Sequence, residues 1–133
     1  MVDVNSIMLV DDDDISNFVT MDVIKETDLV KDVFVAMNGR DALDLMKEKC
    51  GNGSETKPLL VFLDINMPVM DGFEFLEAFE KFPEEEKEDI YIVMLTSSED
   101  EDDVQRAKLH TINGYIPKPL TKEKLQEVMS KLF

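Results

Sequence analysis

Residues 59–72 read LLVFLDINMPVMDG. Five apolar residues, Leu59 to Leu63, run straight into Asp64. A run without polar alternation is apolar on both faces, and a strand of that kind lies inside a sheet covered on both sides. Pro68 and Gly72 shape the loop that follows. Asp71–Phe82 then takes helical spacing, with Phe75, Leu76 and Phe79 on one side. Strand, loop and helix in this order make one βα unit.

The same unit recurs in both directions. Upstream, Ile7–Val10 is an apolar run ending in acid. Ser16–Glu26 follows with Phe18, Val19, Val23 and Ile24 at near-helical spacing. Val33–Ala36 is a second strand, punctuated by Asn38-Gly39. Asp41–Lys49 reads as a helix with Ala42, Leu43 and Met46 on one side. CGNGSETKP, residues 50–58, is loop chemistry. Downstream, Pro83–Asp89 reads as a charged connector and Ile90–Leu95 as a fourth strand. Asp100–Leu109 is a polar helix and Gly114–Ile116 a short fifth strand. Thr121–Leu132 is a final helix burying Leu125, Val128, Met129 and Leu132. Such alternation predicts an α/β fold, a parallel five-stranded sheet covered by helices on both faces. The 133 residues suit one domain. The fifth helix closes the sequence, so a single domain over 1–133 without an output domain is expected.

Charge and cysteine content narrow the classes. Fourteen basic and 30 acidic residues give a net charge of -16. That balance repels nucleic acid and anionic membranes, and suits a partner with a basic face. No apolar run approaches the roughly 20 residues of a membrane span. The N-terminus MVDVNSIMLV lacks the basic region of a signal peptide. The single cysteine, Cys50, allows no internal disulfide and reads as an ordinary residue. A cytoplasmic setting is expected.

In an open parallel sheet, sites form beyond the C-terminal ends of the strands. The first strand ends in Asp11, Asp12, Asp13 and Asp14. The third ends in Asp64, the fourth in Thr96 and Ser97, and the fifth leads into Lys118. Four consecutive aspartates repel one another, so they form either a solvated acidic turn or a cation site. Magnesium wants oxygen ligands, keeps several waters, and is satisfied by two carboxylates and a carbonyl. A carboxylate can also attack phosphorus. Its charge repels a phosphoryl group, so a metal and a lysine must neutralise the phosphoryl oxygens, with a hydroxyl as a further donor. Asp12, Asp64, Thr96 and Lys118 are the residue types that this chemistry requires.

LVDDDD, LDINMPVMDG, the Thr-Ser pair after the fourth strand and the Lys-Pro after the fifth occur in order. In these motifs the chain resembles a response regulator receiver domain of the standalone, CheY-like kind, from about Ser6 to Leu132. The resemblance implies a doubly wound (βα)5 flavodoxin-like fold with strand order 2-1-3-4-5. It implies that Asp64 accepts a phosphoryl group from a histidine kinase or a histidine phosphotransfer protein. Asp12 would ligate Mg2+ directly and Asp11 through a water, with the Asn66 carbonyl and Asp64 completing the set. Mn2+ is a possible substitute. Thr96 and Lys118 would bind phosphoryl oxygens. Tyr115 matches the aromatic switch position, and Lys118–Pro119 would be cis. Any catalysis would be limited to the chain's own phosphorylation and dephosphorylation. The output would pass through the fourth helix, fifth strand and fifth helix to a downstream protein target. The protein would be a monomer or a weak phosphorylation-dependent dimer.

Asp13 and Asp14 suit a turn and a helix N-terminus. Pro117 before the lysine stiffens that loop and removes a backbone donor. Asn66 and Ser98 stand where the family tunes phosphoryl lifetime, and small Ser97 leaves the group reachable. His110, the sole histidine, reads as a surface residue. Other classes fit less well. A dehalogenase-type phosphatase needs a second acid where Asn66 stands. A flavodoxin-like electron carrier would set its flavin phosphate against four aspartates. A calcium loop would need alternating ligands, a central glycine and a closing glutamate. A phosphorylation-independent adaptor on the same fold is the remaining alternative.

Overall fold

Because Leu59–Leu63 is apolar throughout, it occupies the middle of the sheet, and all five of its residues are buried. The computed structural model describes residues 4–49, 56–97 and 100–133. Cys50, Ser98 and most of the GNGSETK loop lie outside the described residues. The strands are β1 (Ser6–Val10), β2 (Asp32–Ala36), β3 (Leu59–Leu63), β4 (Ile90–Thr96) and β5 (Gly114–Pro117). They form one parallel sheet of order β2-β1-β3-β4-β5. That is the expected doubly wound arrangement, and β1 and β3 lie at its switch point.

Successive strand residues point to opposite faces. Met8, Val10, Val61, Leu63, Ile92 and Met94 therefore enter one core layer. Ile7, Leu9, Leu60, Phe62, Val93 and Leu95 enter the other. The first layer is closed by α2 (Gly39–Lys49) and α3 (Gly72–Glu80), through Leu43, Met46, Phe75, Leu76 and Phe79. The second is closed by α1 (Asp14–Thr27) and α6 (Lys122–Leu132), through Ile24, Leu125 and Val128.

Two elements differ from the sequence expectation. The connector after α3 holds a one-turn helix, α4 (Glu84–Lys87), started by Pro83. Its three leading glutamates complement the positive end of a helix, a local signal that apolar periodicity does not carry. The described residues thus hold six helices, the fifth being α5 (Glu101–Ala107). The larger difference is the rotation of α1. It buries Asn17, Thr20 and Ile24. Ile15 and Phe18 are 76% and 74% exposed, and Val19 is exposed as well. Phe18 and Val19, two of the apolar residues at near-helical spacing, lie on the outer face. The helix covers the carboxylate end of the sheet, and there its inner face must meet polar groups.

Candidate functional site

Each β strand delivers its last residues to one edge. Pairing in register brings the ends of β1, β3, β4 and β5 together. The Asp64 N–H donates to the Val10 carbonyl at 2.9 Å, and the Asp11 N–H to the Ala36 carbonyl at 3.1 Å. Both aspartates are thereby fixed by sheet hydrogen bonds one residue beyond their strands.

The loops after them are fixed by capping. Asp13 is the N-cap of α1 and accepts from the Ile15 and Ser16 N–H groups, while Asp14 opens the helix. These two acids are therefore spent on the helix N-terminus. Asp71 caps α3 in a reciprocal box with Glu74. The Gly72 N–H donates to the Ile65 carbonyl at 2.9 Å. A Cβ at Gly72 would stand 2.4 Å from the Asp64 carbonyl oxygen, so only glycine lets the two backbones meet.

The result is a compact acidic cluster. Carboxylate oxygens of Asp11, Asp12 and Asp64 lie within 4.8 Å of one another. Asp11 and Asp64 are buried and Asp12 is exposed. Lys118 Nζ donates to Asp11 Oδ2 at 2.5 Å and lies 3.6 Å from Asp64 Oδ2. Asp64 Oδ1 accepts the Ile65 N–H at 2.9 Å, and Asp11 Oδ1 accepts the Asp13 N–H at 3.0 Å. Thr96 is fully buried and its side chain hydrogen-bonds Asp64. The Lys118 N–H donates to the Thr96 carbonyl at 2.9 Å, and the Lys118–Pro119 peptide is cis. Pro117 pairs with Thr96 across the sheet, so its missing donor falls at the very end of the ladder.

Burial pushes the Asp64 carboxyl up. Lys118 pulls it down, the Asp11 charge pushes it up again, and the Ile65 and Thr96 hydrogen bonds pull it down; the balance lies above the usual carboxylate value. Burial also opposes the Lys118 charge. The hydrogen bond to Asp11 and the charges of Asp64 and Asp11 outweigh it, so the lysine stands above its usual value. Three carboxylates against one ammonium leave two negative charges uncompensated. A hard dication with oxygen ligands fits that donor set and that charge. Asn66, two residues past Asp64, is exposed, and its carbonyl accepts no hydrogen bond among the described residues.

Tyr115 sits at the margin. It is half-buried against the α2/α3 core layer and pairs with Met94 of β4. Burial, then the charges of Asp103, Asp100 and Asp64, raise its phenol. Ser97 is exposed beside the cluster.

Three residues were not legible as site or contact residues. Asn17 and Thr20 reach the underside of the cluster from α1. Their polarity at buried helical positions was the available signal. His110 is a correction: its side chain is 11% exposed, not a surface group. Its Nδ1 is 2.9 Å from Glu80 Oε1, and its ring stacks on Phe73.

The chain matches the family model described as "Response regulator receiver domain" over residues 7–130. It is 30% identical to the probable chemotaxis protein CheY of Rhizobium etli, with 96% of this chain and 91% of that protein covered. A two component response regulator from Cytophaga hutchinsonii superposes with a TM-score of 0.85 at 29% identity, covering 98% of this chain and 97% of the other. The phosphorylated cyanobacterial phytochrome response regulator RcpA gives a TM-score of 0.74 at 25% identity, covering 95% and 89%. Sheet order, the polar residues gathered at one sheet edge and the match over nearly the whole chain agree: the protein belongs to the response regulator receiver domain family of two-component signalling.

Proposed function

We propose that this protein is a phosphoacceptor switch in which Asp64 takes a phosphoryl group from a phosphohistidine. The supporting observation is the meeting of Asp64, Asp11, Lys118 and Thr96, delivered by four different strand ends. A carboxylate oxygen of Asp64 attacks phosphorus. The P–O bond forms as the P–N bond breaks, and the leaving imidazole keeps the electron pair. Asp11, Asp12, Asp64 and the Asn66 carbonyl would hold magnesium, or manganese in its place, which would supply charge neutralisation for the phosphoryl oxygens. Lys118 already spans Asp11 and Asp64, so a short movement turns its ammonium to a phosphoryl oxygen. Thr96 exchanges its bond to Asp64 for one to the phosphoryl group. Exposed Ser97 leaves water a path to the acyl phosphate, so dephosphorylation stays within the chain's own chemistry. The similar cyanobacterial regulator was solved in a phosphorylated form.

The donor would be a histidine kinase or a histidine phosphotransfer protein. The exposed Ile15, Phe18 and Val19 of α1 lie just past the acidic turn and suit an apolar helix of that donor. The output is a population shift of α5, β5 and α6, with Tyr115 following Thr96. Among the described residues no helix is long and apolar enough to cross a membrane. In this reading the receiver works in the cytoplasm, monomeric or weakly dimerising when phosphorylated.

Intact-mass spectrometry after incubation with acetyl phosphate and magnesium tests it. A labile gain of one phosphoryl group is expected for wild type. It should be absent without magnesium and absent in Asp64→Asn. A stable gain, or a gain retained in the variant, would place the chemistry elsewhere.

A further inference from the structure

The rotation of α1 needs a cause. The helix leaves Ile15 and Phe18 in water and turns Asn17 and Thr20, 7% and 5% exposed, toward the sheet. A hydrophobic face chosen for core packing alone would do the opposite. Asn17 reaches back six residues, and its Nδ2 donates to the Asp11 carbonyl at 2.9 Å. The same nitrogen lies 3.7 Å from the Met37 sulfur. The amide donors are thus directed at the Asp11 turn and the loop after β2. The Asn17 side-chain oxygen accepts nothing among the described residues. The Thr20 hydroxyl, one turn along the same face, makes no hydrogen bond among them either. Buried polar groups of this kind are almost always satisfied, by protein or by ordered water.

Both residues border a small, partly open cavity of about 10 Å³ beneath the cluster. Asp11 and Asp64 form its polar roof, with Leu9 and Phe62 among the walls. That is room for about one water, which needs two to four polar partners. Thr20, Asn17 and a roof carboxylate supply three.

We propose that Asn17 and Thr20 hold one ordered water under Asp11 and Asp64, and that this hydration site makes them positioning residues for the cation-binding face of Asp11. The positioning role rests on the metal reading given above; the water site does not. The water donates to a carboxylate from the side that Lys118 does not occupy. Asn17 holds the main chain of the same residue. Together they aim the Asp11 carboxylate outward.

Thr20→Val is the sharp variant, since it removes only the hydroxyl; Thr20→Ser restores it. Asn17→Ala also strips the bond to the Asp11 carbonyl and serves as a second variant. The expected result is an ordered water between Thr20 and Asn17 in a high-resolution crystal structure of wild type and Thr20→Ser, lost in Thr20→Val. Manganese binding, read by electron paramagnetic resonance, should weaken about tenfold in Thr20→Val and in Asn17→Ala, and return in Thr20→Ser. An empty cavity in wild type overturns the water site. Equal manganese affinity in wild type and Thr20→Val overturns the positioning role. Water present with no manganese bound to wild type overturns the metal reading and its positioning corollary, and supports the water site alone.

Discussion

Replacing Lys118 by methionine keeps the stem and removes the one cation of the cluster. Its ammonium lies 2.5 Å from Asp11 and 3.6 Å from Asp64, two carboxylates that are 6% and 7% exposed. At an effective dielectric constant of about 20, charges 3.6 Å apart attract by roughly 4.6 kcal/mol. Loss of the lysine's own burial penalty offsets part of this. Removing one partner of a buried ion pair costs about 3–5 kcal/mol in net terms. The Lys118 side chain keeps 18% of its surface exposed, so the lower end, about 3 kcal/mol, applies. For a chain of 133 residues that lowers Tm by roughly 10 °C. The pH dependence has a definite sign. The Asp64 carboxyl already stands above its usual 3.8, so folding disfavours its ionised form. That penalty is present above the folded pKa and disappears as pH falls below the unfolded one. Losing the ammonium enlarges it. Lys118 itself contributes stability below its usual 10.5, lost only as pH rises through its still higher folded value, so its own titration lies outside the acidic window. Urea melts without metal, from about pH 7 to about pH 4, should show a deficit that shrinks steadily with acid. A loss under about 0.5 kcal/mol, or a deficit constant across that range, would refute the electrostatic account of the cluster.

The complementary change, Asp64→Asn, removes a carboxylate that folding disfavours and should raise stability near pH 7. The gain should fade toward the usual carboxylate range, and a variant less stable than wild type at neutral pH would contradict it. Gly72→Ala sets a Cβ 2.4 Å from the Asp64 carbonyl oxygen, a backbone atom that cannot step aside. A loss of about 2–3 kcal/mol in chemical denaturation is expected, together with reduced phosphorylation by acetyl phosphate, and a neutral outcome would mean that the loop is plastic. Phe18→Ser removes an apolar side chain that is 74% exposed. Stability should change by less than about 0.5 kcal/mol, while transfer from a protein phosphodonor slows and labelling by acetyl phosphate does not; equal slowing of both would argue against a docking role.

How much the sequence discloses depends on what each residue answers to. Asp64, Thr96 and Lys118 could be placed because sheet register alone brings strand ends together, and a strand end is visible as an apolar run meeting a polar residue. The inner layers followed from the same runs, since Leu59–Leu63 has no polar face to expose. The α1 helix could not be placed this way. Periodicity assumes that apolar residues point inward, and α1 lies over the polar end of the sheet, where Asn17 meets the Asp11 carbonyl and Phe18 stays exposed. The α4 turn was hidden for a related reason: its signal is Pro83 followed by glutamates, an electrostatic pattern and not an apolar one. His110 was misjudged because its partners, Glu80 and Phe73, are remote in sequence and meet it only after α3 and α5 have packed.

Those remote contacts bear on how a proposed phosphoryl signal would leave the site. Helix α5 has seven residues, and Ala107 is its sole buried one. Its C-terminal end is held twice to α3: Arg106 lies 4.2 Å over the Phe73 ring, and His110 just beyond it joins Phe73 and Glu80. Its N-terminal end has a different anchorage. Asp100 caps it, and Asp100 and Asp103 set their charges against the Tyr115 phenol. That end follows Thr96 after three intervening residues. An element with little buried surface opens at low free energy. A pull on Thr96 would act on the acidic end of α5, the end away from its anchorage at Arg106 and His110. Tyr115, paired with Met94 of β4, stands beside that moving end and shares its electrostatic environment. The coupling then needs no strain carried through the sheet, only the movement of one short helix anchored at Arg106 and His110.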